Sequence, residues 1–252
     1  MKQLPIAAQV YSVREQAAAD FDGTMKELAR MGYEGVELAG LYGHSPEEIR
    51  AILDRHGLKA VSAHIPYEEF AQDPDGTAGT YRSIGCQYAV VPWLDSERWY
   101  GGSLYQETLA FLAVAAGKCR AAGMQLLYHN HTFEFAKTED GGYQLDAFYQ
   151  AAPALSTELD LCWLKVGGAD PVEYLRKYSG RCPLVHMKDF IRKEGEVVLV
   201  ALGDGELEVS GAAVQAAESG AEWLVVEQDD HAYGTPMENM QKSIDCLRRI
   251  LV

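Results

Sequence analysis

The chain predicts a single (β/α)8 barrel, and three observations carry that expectation. Short apolar runs alternate with helical stretches along all 252 residues. The alternation recurs at a near-constant period of roughly thirty residues, as strand–helix units of a barrel do. No linker, low-complexity tract or shift in composition interrupts it, so residues 1–252 read as one domain. A doubly wound open sheet is the alternative. It calls for a Gly-rich phosphate loop after an early strand, and no GxGxxG or Walker pattern follows any strand here.

Ile6 to Ser12 reads as the first strand. The turn-like Phe21-Asp22-Gly23-Thr24 introduces a helix over Met25 to Met31, whose apolar residues recur at helical spacing and which Gly32 stops. Gly35 to Ala39 is the second strand, with Glu37 in the middle of an apolar run. Ser45-Pro46-Glu47-Glu48 starts a helix with a capping serine, proline in the first turn and acids facing the dipole; it closes at His56-Gly57. Leu58 to His64 is the third strand. A less regular helical stretch ends near Gly85, and Gln87 to Trp93 is the fourth strand. Ser103 to Ala122 reads as a long helix ended by Gly123, and the fifth strand runs from there into Tyr128-His129-Asn130-His131. Helix Gln144 to Ala151 precedes the sixth strand, Leu155 to Asp160. Asp170 caps a helix with Pro171 at its first position, and Pro183 to Lys188 is the seventh strand. Val197 to Ala201 reads as a small excursion before a helix from Ser210 to Ser219. Trp223 to Glu227 is the eighth strand, and Met237 to Leu251 the closing helix. Strands this short and apolar suit parallel pairing buried on both faces.

Composition excludes several classes. A formal charge of −15 disfavours a nucleic-acid partner, which needs a basic footprint. No apolar run approaches membrane-spanning length, and the first residues, from Met1 on, are too polar for a signal peptide. Cys86, Cys119, Cys162, Cys182 and Cys246 are odd in number and widely spaced, which fits reduced, buried thiols and a cytoplasmic protein. A homo-oligomer is compatible with the sequence, which does not specify one.

In a barrel, chemistry gathers where strands end. Ionisable residues fall there in number: Glu37, His64, His129, His131, Glu134, Asp160, His186, Lys188 and Glu227. Four of the seven histidines are among them. Each has a bland reading taken alone. His64 would be a structural histidine, Asp160 a loop cap, Glu37 the partner of an arginine and Lys188 a solvated strand end. Convergence on one barrel mouth favours function for Asp160, His186 and Glu227. Imidazoles and carboxylates without a thiolate suit one divalent ion: Mn, Mg, Co, Fe or Zn. Cys162 shares the parity of Asp160 but reads more simply as core. Tyr11, Trp93, Trp163 and Trp99 would suit stacking on a sugar face, with core packing as the other reading. Gly203-Asp204-Gly205-Glu206-Leu207 reads as a tight turn, and it is weak as a phosphate loop.

With these residues in place, the chain resembles the xylose isomerase-like TIM barrel superfamily, in its sugar phosphate isomerase/epimerase branch. The resemblance runs nearly end to end. It rests on Gly35-Val36-Glu37-Leu38, Ala63-His64, Tyr128-His129-Asn130-His131 with Glu134-Phe135, Leu159-Asp160-Leu161-Cys162-Trp163, Asp170-Pro171-Val172, His186-Met187-Lys188-Asp189, Gly203-Asp204-Gly205-Glu206 and Val226-Glu227-Gln228-Asp229. It implies one divalent ion held by Asp160, His186 and Glu227 with a glutamate from the fifth strand. At that position this chain has His129. Glu134, five residues on, is expected to complete the set, with His129 or His131 as the alternatives.

The leading expectation is a metal-dependent isomerase or epimerase acting on a sugar, keto-sugar or cyclitol through an enediolate. His131, His129 or Glu37 would move the proton, Lys188 would contact substrate oxygens, and His64, Trp93 and Trp163 would bind substrate. The alternative is elimination or hydration by relatives of inosose dehydratase and keto-glycoside lyases. A histidine base beside a metal suits that chemistry, and the missing glutamate puts a two-carboxylate proton shuttle in doubt. An endonuclease IV-like hydrolase, disfavoured by charge, and a non-catalytic sugar-binding barrel are the remaining readings.

Overall fold

A computed structural model of the protein describes residues 3–250. Its strands in chain order are β1 (Ile6–Gln9), β2 (Gly35–Leu38), β3 (Lys59–His64), β4 (Tyr88–Val91), β5 (Gln125–His129), β6 (Ser156–Asp160), β7 (Leu184–Met187), β8 (Asp189–Lys193), β9 (Glu196–Val200) and β10 (Trp223–Val226). Eight of them close a parallel barrel in the order β1-β10-β7-β6-β5-β4-β3-β2, while β8 and β9 form a separate antiparallel hairpin. The barrel expectation holds, strand for strand.

The departures are local. The first strand stops at Gln9 because the Gln9 side chain accepts from Tyr11 N–H at 3.0 Å, which turns Val10–Val13 into a 3-10 turn. Helices Arg14–Ala19 and Leu161–Val166 are absent from the sequence reading; the first follows that turn and the second follows β6 directly. Phe21-Asp22-Gly23-Thr24 is the first turn of a helix running Phe21–Met31, with Asp20 as its cap. The excursion at Val197 is one arm of the β8–β9 hairpin. The closing helix is Pro236–Ile250; Leu251, like Met1, lies outside the described residues.

The barrel interior divides along its axis. At the N-terminal end of the strands Ala7, Val61, Tyr88, Val90, Leu127, Leu184, Trp223 and Val225 form an apolar plug. Gly35 belongs to that layer, since a Cβ there would come within 2.6 Å of Val61 and 3.2 Å of Trp223. At the C-terminal end, inward positions carry Gln9, Glu37, His64, His129, Glu158, His186 and Glu227, all but His64 fully buried. A register shift between β2 and β3 pairs Glu37 with Ser62 and skips Val61. Both Val61 in the plug and Ser62, which donates to Glu37 at 2.6 Å, can therefore face inward. A second, larger core fills the space between strands and helices.

Candidate metal centre and active site

Asp160 is the last residue of β6 and also the cap of the helix that follows. Its Oδ1 accepts from Trp163 N–H at 2.8 Å, so the cap reading is correct and accounts for only half of the carboxylate. Oδ2 is buried and without a hydrogen-bond partner, although Lys188 Nζ lies 3.0 Å away. Asn130 locks this corner: its amide oxygen accepts from Asp160 N–H at 3.0 Å and its NH2 donates to the Asp160 carbonyl at 3.2 Å.

His186 sits at the centre. Its Nδ1 is 2.9 Å from Glu227 and its Nε2 2.7 Å from Glu37. Glu158, two residues before Asp160 and on the same face of β6, puts one oxygen 2.7 Å from His64 Nε2 and 3.1 Å from both His129 Nδ1 and His186 Nε2. The His129 contact is close but misaligned, which leaves Nδ1 without a hydrogen bond, as is the other oxygen of Glu158. Glu37 also accepts from Gln9 at 2.7 Å. Lys188 is enclosed by Asp160, Glu227 at 2.8 Å and Asp229 at 2.9 Å.

These contacts sort the charges. Burial opposes ionisation of Glu37 and Glu227. The imidazoles of His64 and His186 outweigh it at Glu37, and Lys188 with His186 outweighs it at Glu227, so both carboxylates are held well below the usual range. Burial would neutralise His64, but Glu37 and Glu158 push it up to about 10. His129 is driven the other way, by burial and then by the neighbouring positive charge of His186 and His64, and it stays neutral. His131 falls to about 4, chiefly from burial and the Lys188 ammonium.

A divalent cation fits this chemistry. His129, Asp160, His186 and Glu227 each place a ligand atom within 4.8 Å of all the others, and a second group, His64, His129, Glu158 and His186, does the same. The first group combines two carboxylates with two imidazoles, and two of its ligand atoms, His129 Nδ1 and Asp160 Oδ2, are buried without hydrogen bonds. It also opens to the mouth, since His129 and Glu227 line the cavity above. Five carboxylates (Glu37, Glu158, Asp160, Glu227, Asp229) gather there with one lysine, which contacts three of them, so a cation offsets charge that Lys188 and the imidazoles must otherwise balance.

Several expected residues stand elsewhere. Glu134 is outside both groups. It accepts from Tyr128 O–H at 2.9 Å and from His131 N–H at 2.8 Å, and because Tyr128 points outward among Trp99 and Phe148, the carboxylate follows it away from the barrel axis. Burial there pushes its pKa up to about 8. His129 takes the place expected for it. Glu37 and Lys188 are fully buried beneath the mouth and are not among the residues that line the cavity. The Trp163 ring centroid lies 5.3 Å from Lys188 Nζ and 6.5 Å from the His131 ring, and Trp163 is not among the residues that line the cavity. Trp99 is core: it stacks on Tyr128 and its Nε1 donates to Gln144 at 2.9 Å. Cys162 packs with Phe190 and Leu199 as the bland reading had it, and all five cysteines are free and buried. The Gly203–Leu207 turn wraps the chain's own anion, since buried Asp189 accepts from Gly203, Gly205 and Leu207 N–H at 2.9–3.1 Å. A Cβ on Gly205 would meet that carboxylate at 2.3 Å.

His64, His129, His131, Glu227 and Trp93 do line a cavity of about 490 Å³ over the mouth, joined by Tyr11, Glu69 and Asp229. Glu158, Gln9, Asn130 and Asp229 escaped the sequence reading. The signal for Glu158 and Asp229 was present: each is two residues from a flagged acid, and Glu158 shares the β6 face of Asp160.

The chain belongs to the xylose isomerase-like TIM barrel family, whose model matches residues 25–250. It is similar to the inosose dehydratase of Geobacillus kaustophilus, 27% identical over 192 residues that cover 67% of this chain and 61% of that one. It is also similar to the inosose dehydratase of Lacticaseibacillus casei, at 22% over 262 residues, 88% of this chain and 87% of the relative. Among solved structures it matches a sugar phosphate isomerase/epimerase from Parabacteroides distasonis with a TM-score of 0.83, at 21% identity and 98% coverage of each chain. Among the described residues no helix is long and apolar enough to cross a membrane.

Proposed function

We propose that the protein is a divalent-cation-dependent carbon–oxygen lyase that removes water from a ketone-bearing polyol ring, a keto-sugar or cyclitol. The observation that carries this reading is the fifth-strand position. His129 occupies it and Glu134 is turned to Tyr128, so a second open carboxylate to pair with Glu227 across a substrate is lacking there. That favours elimination over the isomerisation or epimerisation the sequence put first, and similarity to two inosose dehydratases supports the same direction.

When bound by His129, Asp160, His186 and Glu227, a cation supplies Lewis-acid polarisation of the ketone; two imidazoles with two carboxylates suit Mn²⁺, Fe²⁺, Co²⁺ or Zn²⁺ over Mg²⁺. His131 lines the cavity with an unpartnered Nδ1 and its backbone N–H held by Glu134, which makes it the base that takes the hydrogen next to the ketone. His64, also on the cavity wall, gives a proton to the departing β-hydroxyl. One C–H and one C–O bond break, a C=C bond forms, and water leaves. Glu37 and Glu158 hold His64 and His186 in place.

The test is incubation of the Mn²⁺-loaded protein with 2-keto-myo-inositol and a panel of keto-glucosides in D2O. Dehydration yields a conjugated product that absorbs in the near ultraviolet. Deuterium exchange with epimerised product and no water loss would return the reading to epimerase, and no exchange on any ketone would end the enolisation idea.

A further inference from the structure

The cavity over the mouth has two unlike walls. His129, His131, Glu227 and Asp229, after β5 and β10, supply its ionic side. The loops after β1, β2, β3 and β4 supply Tyr11, Ala39, Gly40, Pro66, Pro92 and Trp93, with Glu69 the one acid among them. Trp93 is 54% exposed and Tyr11 43%, which is unusual for large rings that line a cavity. Tyr11 is nonetheless fixed. The Arg14 guanidinium lies 4.3 Å from its ring centroid, donates to the Tyr11 carbonyl at 3.1 Å, and reaches across to the Asp229 carbonyl at 2.8 Å. One face of the phenol is thus covered by its own chain. A volume of about 490 Å³ is that of a pocket for a drug-sized ligand and exceeds what one six-membered ring fills.

We propose that this wall is an outer subsite for a second ring: the substrate is a glycoside whose keto ring lies on the ionic floor and whose substituent, a sugar or an aryl group, lays a flat apolar face on Trp93 and Tyr11. The inference rests on the polyol reading of the floor and adds the substituent to it. Among the described residues the aromatic wall carries no lysine or arginine in its lining and its one ionisable group is the acid Glu69, so it suits an uncharged outer group better than a phosphoryl group. Stacking on such rings is sequence-tolerant towards aryl and sugar faces alike, and the probes separate the two.

The cation-loaded protein is titrated with methyl β-glucoside, phenyl β-glucoside and cellobiose, which carry no ketone and do not react, with the heat of binding as the readout. Phenyl β-glucoside or cellobiose is expected to bind about tenfold more tightly than methyl β-glucoside, the stacking contribution of one ring. In Trp93→Ala that ratio collapses towards one, while an unchanged melting temperature shows that the fold is intact. Preference for one of the two probes identifies the outer group as aryl or sugar. Equal binding of all three, no binding of any, or a tenfold preference that survives Trp93→Ala overturns the subsite. A Trp93-dependent preference in a protein that dehydrates no keto ring would leave the subsite standing and remove the lyase reading.

Discussion

The two sides of the barrel mouth are built on opposite principles. The side formed by β6, β7 and β10 is ionic, buried and tied together by contacts of 2.7–3.1 Å between side chains of neighbouring strands and, through His186 and Glu37, across the barrel to β2. The side formed by the loops after β1 to β4 is aromatic and partly exposed, and its position rests on backbone contacts such as Arg14 to Asp229. The contrast separates two tasks. Charge that must be held against a cation sits on strands, where neighbours fix each side chain, while recognition of variable groups sits on loops that can change without disturbing it.

Substitutions break this division in order of size. Lys188→Met removes the one lysine enclosed by Asp160, Glu227 and Asp229 and is expected to cost about 3–5 kcal/mol of stability in denaturant titrations. Added Mn²⁺ should restore part of that loss, and a protein equally unstable with and without cation would speak against a metal centre. Glu227→Ala and Asp160→Asn should each lower bound divalent metal and turnover at least about 100-fold. The two variants should differ in stability, because asparagine keeps the cap on Trp163 N–H; melting curves alongside metal analysis check this.

Glu134 offers a pH test. Its folded pKa of about 8 lies above the ordinary 4.5, so between these values the folded state holds a proton that the unfolded chain has released. Its contribution is fully present below pH 4.5 and fades as pH rises through 8, at about 1.4 kcal/mol per pH unit within that window. Glu134→Gln should flatten the decline, as urea midpoints at pH 5, 6, 7 and 8 would reveal; an unchanged slope would assign the titration elsewhere. The smallest effect belongs to the aromatic side. Arg14→Ala frees the Tyr11 ring, costs about 0.5–1 kcal/mol, and should leave metal content untouched.

Much of the ionic side was legible from the chain. Asp160, His186, Glu227, His64 and His129 stand out as polar residues ending apolar runs, and strand periodicity carries such residues to the same end of a barrel. The roles were less legible than the positions. Lys188 and Glu37 look alike in sequence to His64, yet both lie below the mouth, because three carboxylates capture the lysine and Gln9, Ser62 and His186 capture the glutamate. Glu134 was expected among the ligands because it lies five residues after His129; in the structure it accepts from the outward Tyr128 hydroxyl and stands outside both ligand groups.

Local patterning was enough to determine the eight barrel strands, several helix caps and the family resemblance, since period and turn chemistry act between neighbours in the chain. Tertiary structure alone decided which nitrogen or oxygen is left without a partner. His129 Nδ1, Asp160 Oδ2 and Glu158 Oε1 are orphaned by alignments that depend on residues from four strands at once, and a one-dimensional pattern carries no such information. It also decided that Tyr11 and Trp93, more than eighty residues apart, face one cavity, because closing the barrel brings the loops after β1 and β4 to a shared rim.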